Sequence, residues 1–70
     1  MKAMSNRWES LGERLLTAAA SGDKAALGRL VAAGADVEVE NEDGWTASIL
    51  AAFNGHDACL ALLIKAGGGP

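Results

Sequence analysis

Half of the 70 residues are apolar, yet 15 of these are alanine and the only aromatics are Trp8, Trp45 and Phe53. This leaves room for one small, closely packed helical domain and excludes a multidomain enzyme. The net charge of −3 is uneven: Asp36, Glu38, Glu40, Glu42 and Asp43 fall within a stretch free of Lys and Arg, and the six basic residues are spread too thinly to neutralise phosphates, which argues against nucleic-acid binding.

In chain order, residues 1–9 read as an N-terminal extension that admits a helical form. They lack the apolar run of a secretory signal, and no segment approaches the roughly 20 apolar residues of a membrane span. Cys59 is alone and cannot form an intramolecular disulfide. The expectation is an intracellular protein, cytoplasmic or nuclear, that does not engage a membrane. Asn6 to Glu9 and Ser10 to Glu13 each have the spacing of a capping box, and either can open the first helix. Its buried face would be Leu11, Leu15 and Ala18 or Ala19, with Trp8 over its beginning and Gly12 weakening it slightly.

That helix is predicted to end at Gly22. A second begins near Asp23, whose carboxylate suits a helix N-terminus, and stops at Gly34. Within it Leu27, Leu30 and Val31 form an apolar stripe at spacings of three and four, and Gly28 would let another helix approach closely. Asp36-Val37-Glu38-Val39-Glu40 then alternates with period two and is read as an extended finger, followed by turn residues Asn41-Glu42-Asp43-Gly44. Thr46 would cap a third helix from Ala47 to about Phe53, ending at Gly55. The fourth is expected to start near Asp57, carry Leu60, Leu63 and Ile64, and stop at Gly67. Gly67-Gly68-Gly69 precedes neither a lysine nor a helix, so it reads as a flexible tail and not as a phosphate-binding loop.

Shifting the sequence by 33 residues lays Ala18–Gly34 over Ala51–Gly67 with 8 of 17 positions identical. The pairs Gly22/Gly55, Gly34/Gly67, Leu27/Leu60 and Leu30/Leu63 are the ones hardest to obtain by chance. Each unit is therefore two short helices joined by a turn, and an apolar stripe of this kind needs a neighbour to cover it.

The 33-residue period, the exit Gly34-Ala35-Asp36-Val37, the entry Asp43-Gly44-Trp45-Thr46, and Ala51-Ala52, Asn54-Gly55-His56 and Leu62-Leu63 together resemble the ankyrin repeat. The resemblance covers roughly residues 14–68. It implies an all-α fold, a short solenoid of two helix-turn-helix repeats joined by an extended, hairpin-like finger: residues 10–42 as a cap-like first repeat and 43–70 as a second without finger or C-terminal cap. The family's Thr-Pro-Leu-His stands here as Thr46-Ala47-Ser48-Ile49, so its proline and its loop-bridging histidine are missing. The resemblance also implies a protein-binding role, with Glu42, Asp43 and Trp45 on the finger and Phe53 and Asn54 at a helix end lining a concave recognition surface. Ala20 and Ser21 are the first repeat's equivalents of Phe53 and Asn54.

Two readings of the acidic finger stand side by side, a solvated face or a negative rim that attracts a basic partner. Trp45 is likewise either a partner-binding anchor or a cover over a thin core. His56 and Cys59, three residues apart, are the only pair that could support nucleophilic or metal chemistry; with no further His or Cys they are read as structural, and neither a catalytic residue, a metal nor a cofactor is expected. A second functional reading is structural: part of a longer array, or a homodimer, associating through Leu60, Leu62 and Leu63 on an uncovered C-terminal face.

Overall fold

The computed structural model describes residues 10–67; the Asn6–Glu9 capping box, the place of Trp8 and the Gly68–Pro70 tail lie outside them. Four helices follow in order: α1 (Leu11–Ser21), α2 (Lys24–Ala32), α3 (Ala47–Phe53) and α4 (Asp57–Lys65). Among the described residues the one β pairing is an isolated antiparallel bridge between Glu40 and Thr46. The fold is an all-α helical repeat.

Side-chain caps set three of the four helix starts. The Ser10 side chain accepts from the Glu13 N–H at 3.2 Å, Asp23 from Ala26 at 3.1 Å and Thr46 from Ile49 at 3.3 Å. Each satisfies a donor that the helix itself leaves orphaned. The fourth helix starts at Asp57 as expected, but without a side-chain cap: His56 is its N-cap with no side-chain bond, and Asp57 is the first helical residue, where its charge favours the helix dipole.

The helix ends repeat with the 33-residue period. Gly22 and Gly55 have φ of 78° and 76°, and Gly34 and Gly67 have 96° and 97°, all in the left-handed region. Beyond the first pair of glycines the chain turns back with the same bond, Asp23 N–H to the Ala18 carbonyl at 2.9 Å and His56 N–H to that of Ala51 at 2.8 Å.

Helices α1 and α2 form one antiparallel pair, α3 and α4 another, and the pairs stack α1 on α3 and α2 on α4. The core between them is Leu15, Leu16, Ala18, Ala19, Leu27, Ala47, Ala51, Cys59 and Leu63. Leu15, Leu27 and Leu63 are fully buried, each contributing about 1.5–3 kcal/mol as an upper bound. Alanines at Ala19, Ala47 and Ala51, all 0% exposed, let the backbones approach where larger side chains would hold them apart.

Three expectations need correction. The 36–40 segment is not an extended strand: the Asp36 carboxylate accepts from the Glu38 N–H at 2.9 Å and turns the chain there, while Val37 and Val39 still point inward against the core. Leu63 does not face solvent but is 0% exposed, and Leu62 is half-buried beside Gly28 of the first pair. Gly28 is not needed for close approach either, since a Cβ there would meet Leu62 Cδ1 at an ordinary 3.7 Å. The glycine that does answer to a tight contact is Gly12, where a Cβ would stand 3.0 Å from Val39 Cγ2.

Candidate functional site

The finger contracts to a short loop whose geometry is governed by Asn41. Its Oδ1 accepts from the Asp43 N–H at 2.8 Å and the Trp45 N–H at 2.9 Å, and its own N–H donates to the Trp45 carbonyl at 2.9 Å. Gly44, at φ 83°, supplies the left-handed turn between them. The Trp45 backbone is thus held at both its donor and its acceptor, so the indole has a fixed origin. Glu42 and Asp43 are exposed on the same turn.

From that origin the Trp45 ring meets Phe53 edge to face, centroids 5.1 Å apart and planes at 80°. Such pairs are worth about 0.5–1.5 kcal/mol beyond the area they bury. Trp45 is half-buried, whereas Phe53, the last residue of α3, is 73% exposed. Phe53 is thus turned to solvent while its ring packs on the indole. Asn54, the C-cap of α3, returns its Nδ2 to the Leu50 carbonyl at 3.0 Å.

Ala20 and Ser21 sit at the end of α1, the position corresponding to Phe53 and Asn54 on α3. Ser21 Oγ donates to the Ala18 carbonyl at 3.3 Å. The Ala20 carbonyl lies 3.2 Å from His56 Nε2, and since a carbonyl oxygen only accepts, that ring nitrogen carries the hydrogen. The structure therefore brings Trp45 and Phe53 together, with Glu42 and Asp43 on the turn that presents them. The interactions of Ala20 and Ser21 run to His56 and to α1 itself.

The sequence reading gave two residues structural roles without the bonds they make. Asn41 appeared only as generic turn chemistry, although an Asn followed by a Gly three residues later is the pattern of such a turn. His56 bridges the two helix pairs from the start of α4, a linkage that seemed lost with the missing Thr-Pro-Leu-His histidine. Its distance in sequence from Ala20, 36 residues, leaves no local signal.

The remaining chemistry is quiet. Cys59 is 1% exposed, and its thiol pKa is raised, first by burial and then by the nearby Asp23 carboxylate, with Lys24 pulling the other way. A thiol of that kind is a poor nucleophile at neutral pH. Among the described residues no three His, Cys, Asp or Glu side chains are grouped to hold a metal ion, and no helix is long and apolar enough to cross a membrane.

Comparison with known proteins agrees with this architecture. A family model described as ankyrin repeats (3 copies) matches residues 12–69. The chain belongs to the ankyrin-repeat family. Ankyrin repeats are generally protein–protein interaction modules and typically non-catalytic. A mitochondrial disaggregase from Bos taurus is 38% identical over 56 residues, which is 80% of this ankyrin-repeat chain but 8% of the disaggregase. The chain thus spans a small part of that relative's length.

Proposed function

We propose that this ankyrin-repeat chain is a non-catalytic, intracellular module that binds a basic protein partner through Trp45, Phe53, Glu42 and Asp43, with Asn54, Ala20 and Ser21 extending the same side. The observation that carries the reading is the exposed Phe53 ring braced on a Trp45 whose backbone Asn41 fixes at both ends. A large aromatic held rigid in a polar rim loses little entropy on binding, which is the property of an interface hot spot. The acids supply the rest: from Asp36 to Asp57 the chain has six carboxylates and no Lys or Arg. Such a field favours a cationic partner and speeds its encounter at low salt. In this proposal the repeat units run 10–42 and 43–70.

The test is affinity capture from a lysate of the source cells with wild type, a Trp45→Ala, Glu42→Ala double variant, and an Ile64→Ser control on another face. The proposal expects at least one protein held by wild type and by the control, lost with the double variant, and weakened by added salt. Equal retention by all three chains would place recognition elsewhere.

A further inference from the structure

The turn between α3 and α4 carries a covalent chemistry that partner recognition does not use. Of the three asparagines, Asn6, Asn41 and Asn54, only Asn54 precedes a glycine. Glycine has no Cβ to shield its amide nitrogen, so that nitrogen, once deprotonated, can attack the carboxamide carbon of the residue before it. The first repeat has Ser21 before Gly22 at the equivalent place and offers no carboxamide.

In the folded chain the reacting atoms are held apart. Closing the ring requires the Gly55 nitrogen to lie beside the Asn54 side chain, but at ψ 4° it eclipses the Asn54 backbone nitrogen instead. The Asn54 Nδ2 donates to the Leu50 carbonyl at 3.0 Å, and the Asn54 N–H donates to the same oxygen at 3.1 Å. The proton that must leave, on the Gly55 nitrogen, is given to the Ala52 carbonyl at 3.1 Å. All three bonds belong to the last turn of α3, where Ala52, Phe53, Asn54 and Gly55 are exposed. The buried Ala51 just before them keeps its own carbonyl bonded to the His56 N–H at 2.8 Å. The turn can therefore open without unpacking the core, as the ends of helices do.

We propose that Asn54 with Gly55 is a self-modification site, at which Asn54 deamidates through a succinimide whenever the last turn of α3 opens. The Gly55 nitrogen loses its proton to hydroxide and bonds to Asn54 Cγ, and the carboxamide nitrogen takes a proton from water and leaves as ammonia. Water then opens the ring at either carbonyl and restores the Gly55 N–H. The product is aspartate in the normal chain or isoaspartate in a chain lengthened by one methylene. Both lose the donor to Leu50 and set a carboxylate next to Phe53, at the C-terminal end of α3 where the helix dipole disfavours it. This goes beyond the recognition role and does not depend on it.

The test is peptide mapping by mass spectrometry of the 70-residue chain held at mildly alkaline pH in buffer, in urea below the unfolding transition, and in full denaturant, with circular dichroism on the same samples. Asn54 should become the acid in all three. Conversion in buffer should be about tenfold to a hundredfold slower than in denaturant, because the bonds of one exposed turn must open first. Below the transition the rate should stay flat with urea, since opening a single turn exposes little surface. Equal rates in buffer and denaturant, or a rate in buffer lower by more than about a hundredfold, would overturn the proposal. So would a rate that climbs with urea as global unfolding does, or conversion of Asn41 in place of Asn54.

Discussion

Gly22 and His56 meet so closely that a Cβ on Gly22 would stand 2.6 Å from His56 Nδ1. The glycine is needed twice over: its φ of 78° disfavours any L side chain, and the imidazole fills the space one would occupy. The ring is anchored on its far side by the Ala20 carbonyl, so the end of α1 and the start of α4 are locked as one unit. Gly22→Ala is expected to cost at least about 2 kcal/mol, from left-handed backbone strain plus displacement of the ring. His56→Ala, which loses a hydrogen bond and leaves a partly buried carbonyl, should cost about 1 kcal/mol. Urea unfolding midpoints order the two; a Gly22→Ala loss smaller than that of His56→Ala would contradict this account of the lock.

Gly28 gives the opposite result. It lies inside α2 with ordinary room for a methyl group beside Leu62, so Gly28→Ala should stabilise the fold by roughly 0.5–1 kcal/mol through helix propensity alone. A rise in urea midpoint at unchanged slope is the expected readout. A fall would mean that α2 and α4 lie closer than the 3.7 Å contact implies.

The helix pattern and its punctuation were legible in the sequence because they are local: Ser10, Asp23 and Thr46 cap, and glycines at the repeat period end helices, whatever surrounds them. The finger was misread for an equally local reason. Alternation of Asp36, Val37, Glu38, Val39 and Glu40 is what a strand shows, but an Asp36 side chain bonded two residues ahead also alternates inward and outward while turning the chain. Periodicity gave the apolar positions of α4 without saying which neighbour each faces, so Leu62 and Leu63 passed for open surface while Ile49, on α3, went unnoticed. At the candidate site Trp45 and Phe53 came from the resemblance to the ankyrin repeat, which puts both positions on one surface. The Asn41 bonds that orient Trp45, and the His56 bridge, are matters of geometry that no spacing rule encodes.

Cys59 offers a chemical probe of folding. Its thiol is buried and its pKa raised, so alkylation by a small electrophile in native buffer should be much slower than in denaturant, with opening of the helix pairs setting the rate. The sign with pH follows from linkage. The folded state holds the thiol proton more tightly than the unfolded chain, so this contribution to stability is complete below the unfolded thiol pKa, about 8.5, and is lost as pH rises above it toward the folded value. Urea midpoints between neutral and alkaline pH should fall less in Cys59→Ala than in wild type. Parallel curves would show that the proton is not held differently in the two states.

Asn41 is predicted to separate recognition from stability. Asn41→Ala removes both acceptor bonds to the turn, at Asp43 and Trp45, while leaving the core residues untouched. The loss in stability should be no more than about 1–2 kcal/mol. In a Trp8→Phe background, which leaves Trp45 as the single tryptophan, the indole freed from the turn should show a shifted emission spectrum and lose its near-ultraviolet dichroism. An unchanged Trp45 signal would mean that packing on Phe53, and not the turn, fixes the ring.

The central claim is that the braced Trp45 and Phe53 surface recognises a partner, and it is tested most directly by titrating a captured partner with wild type and with Phe53→Ala. Phe53 is largely exposed, so its truncation should leave helicity intact while weakening binding by about 2 kcal/mol, near thirtyfold in Kd. A folded Phe53→Ala chain that binds the partner with wild-type affinity would contradict the claim.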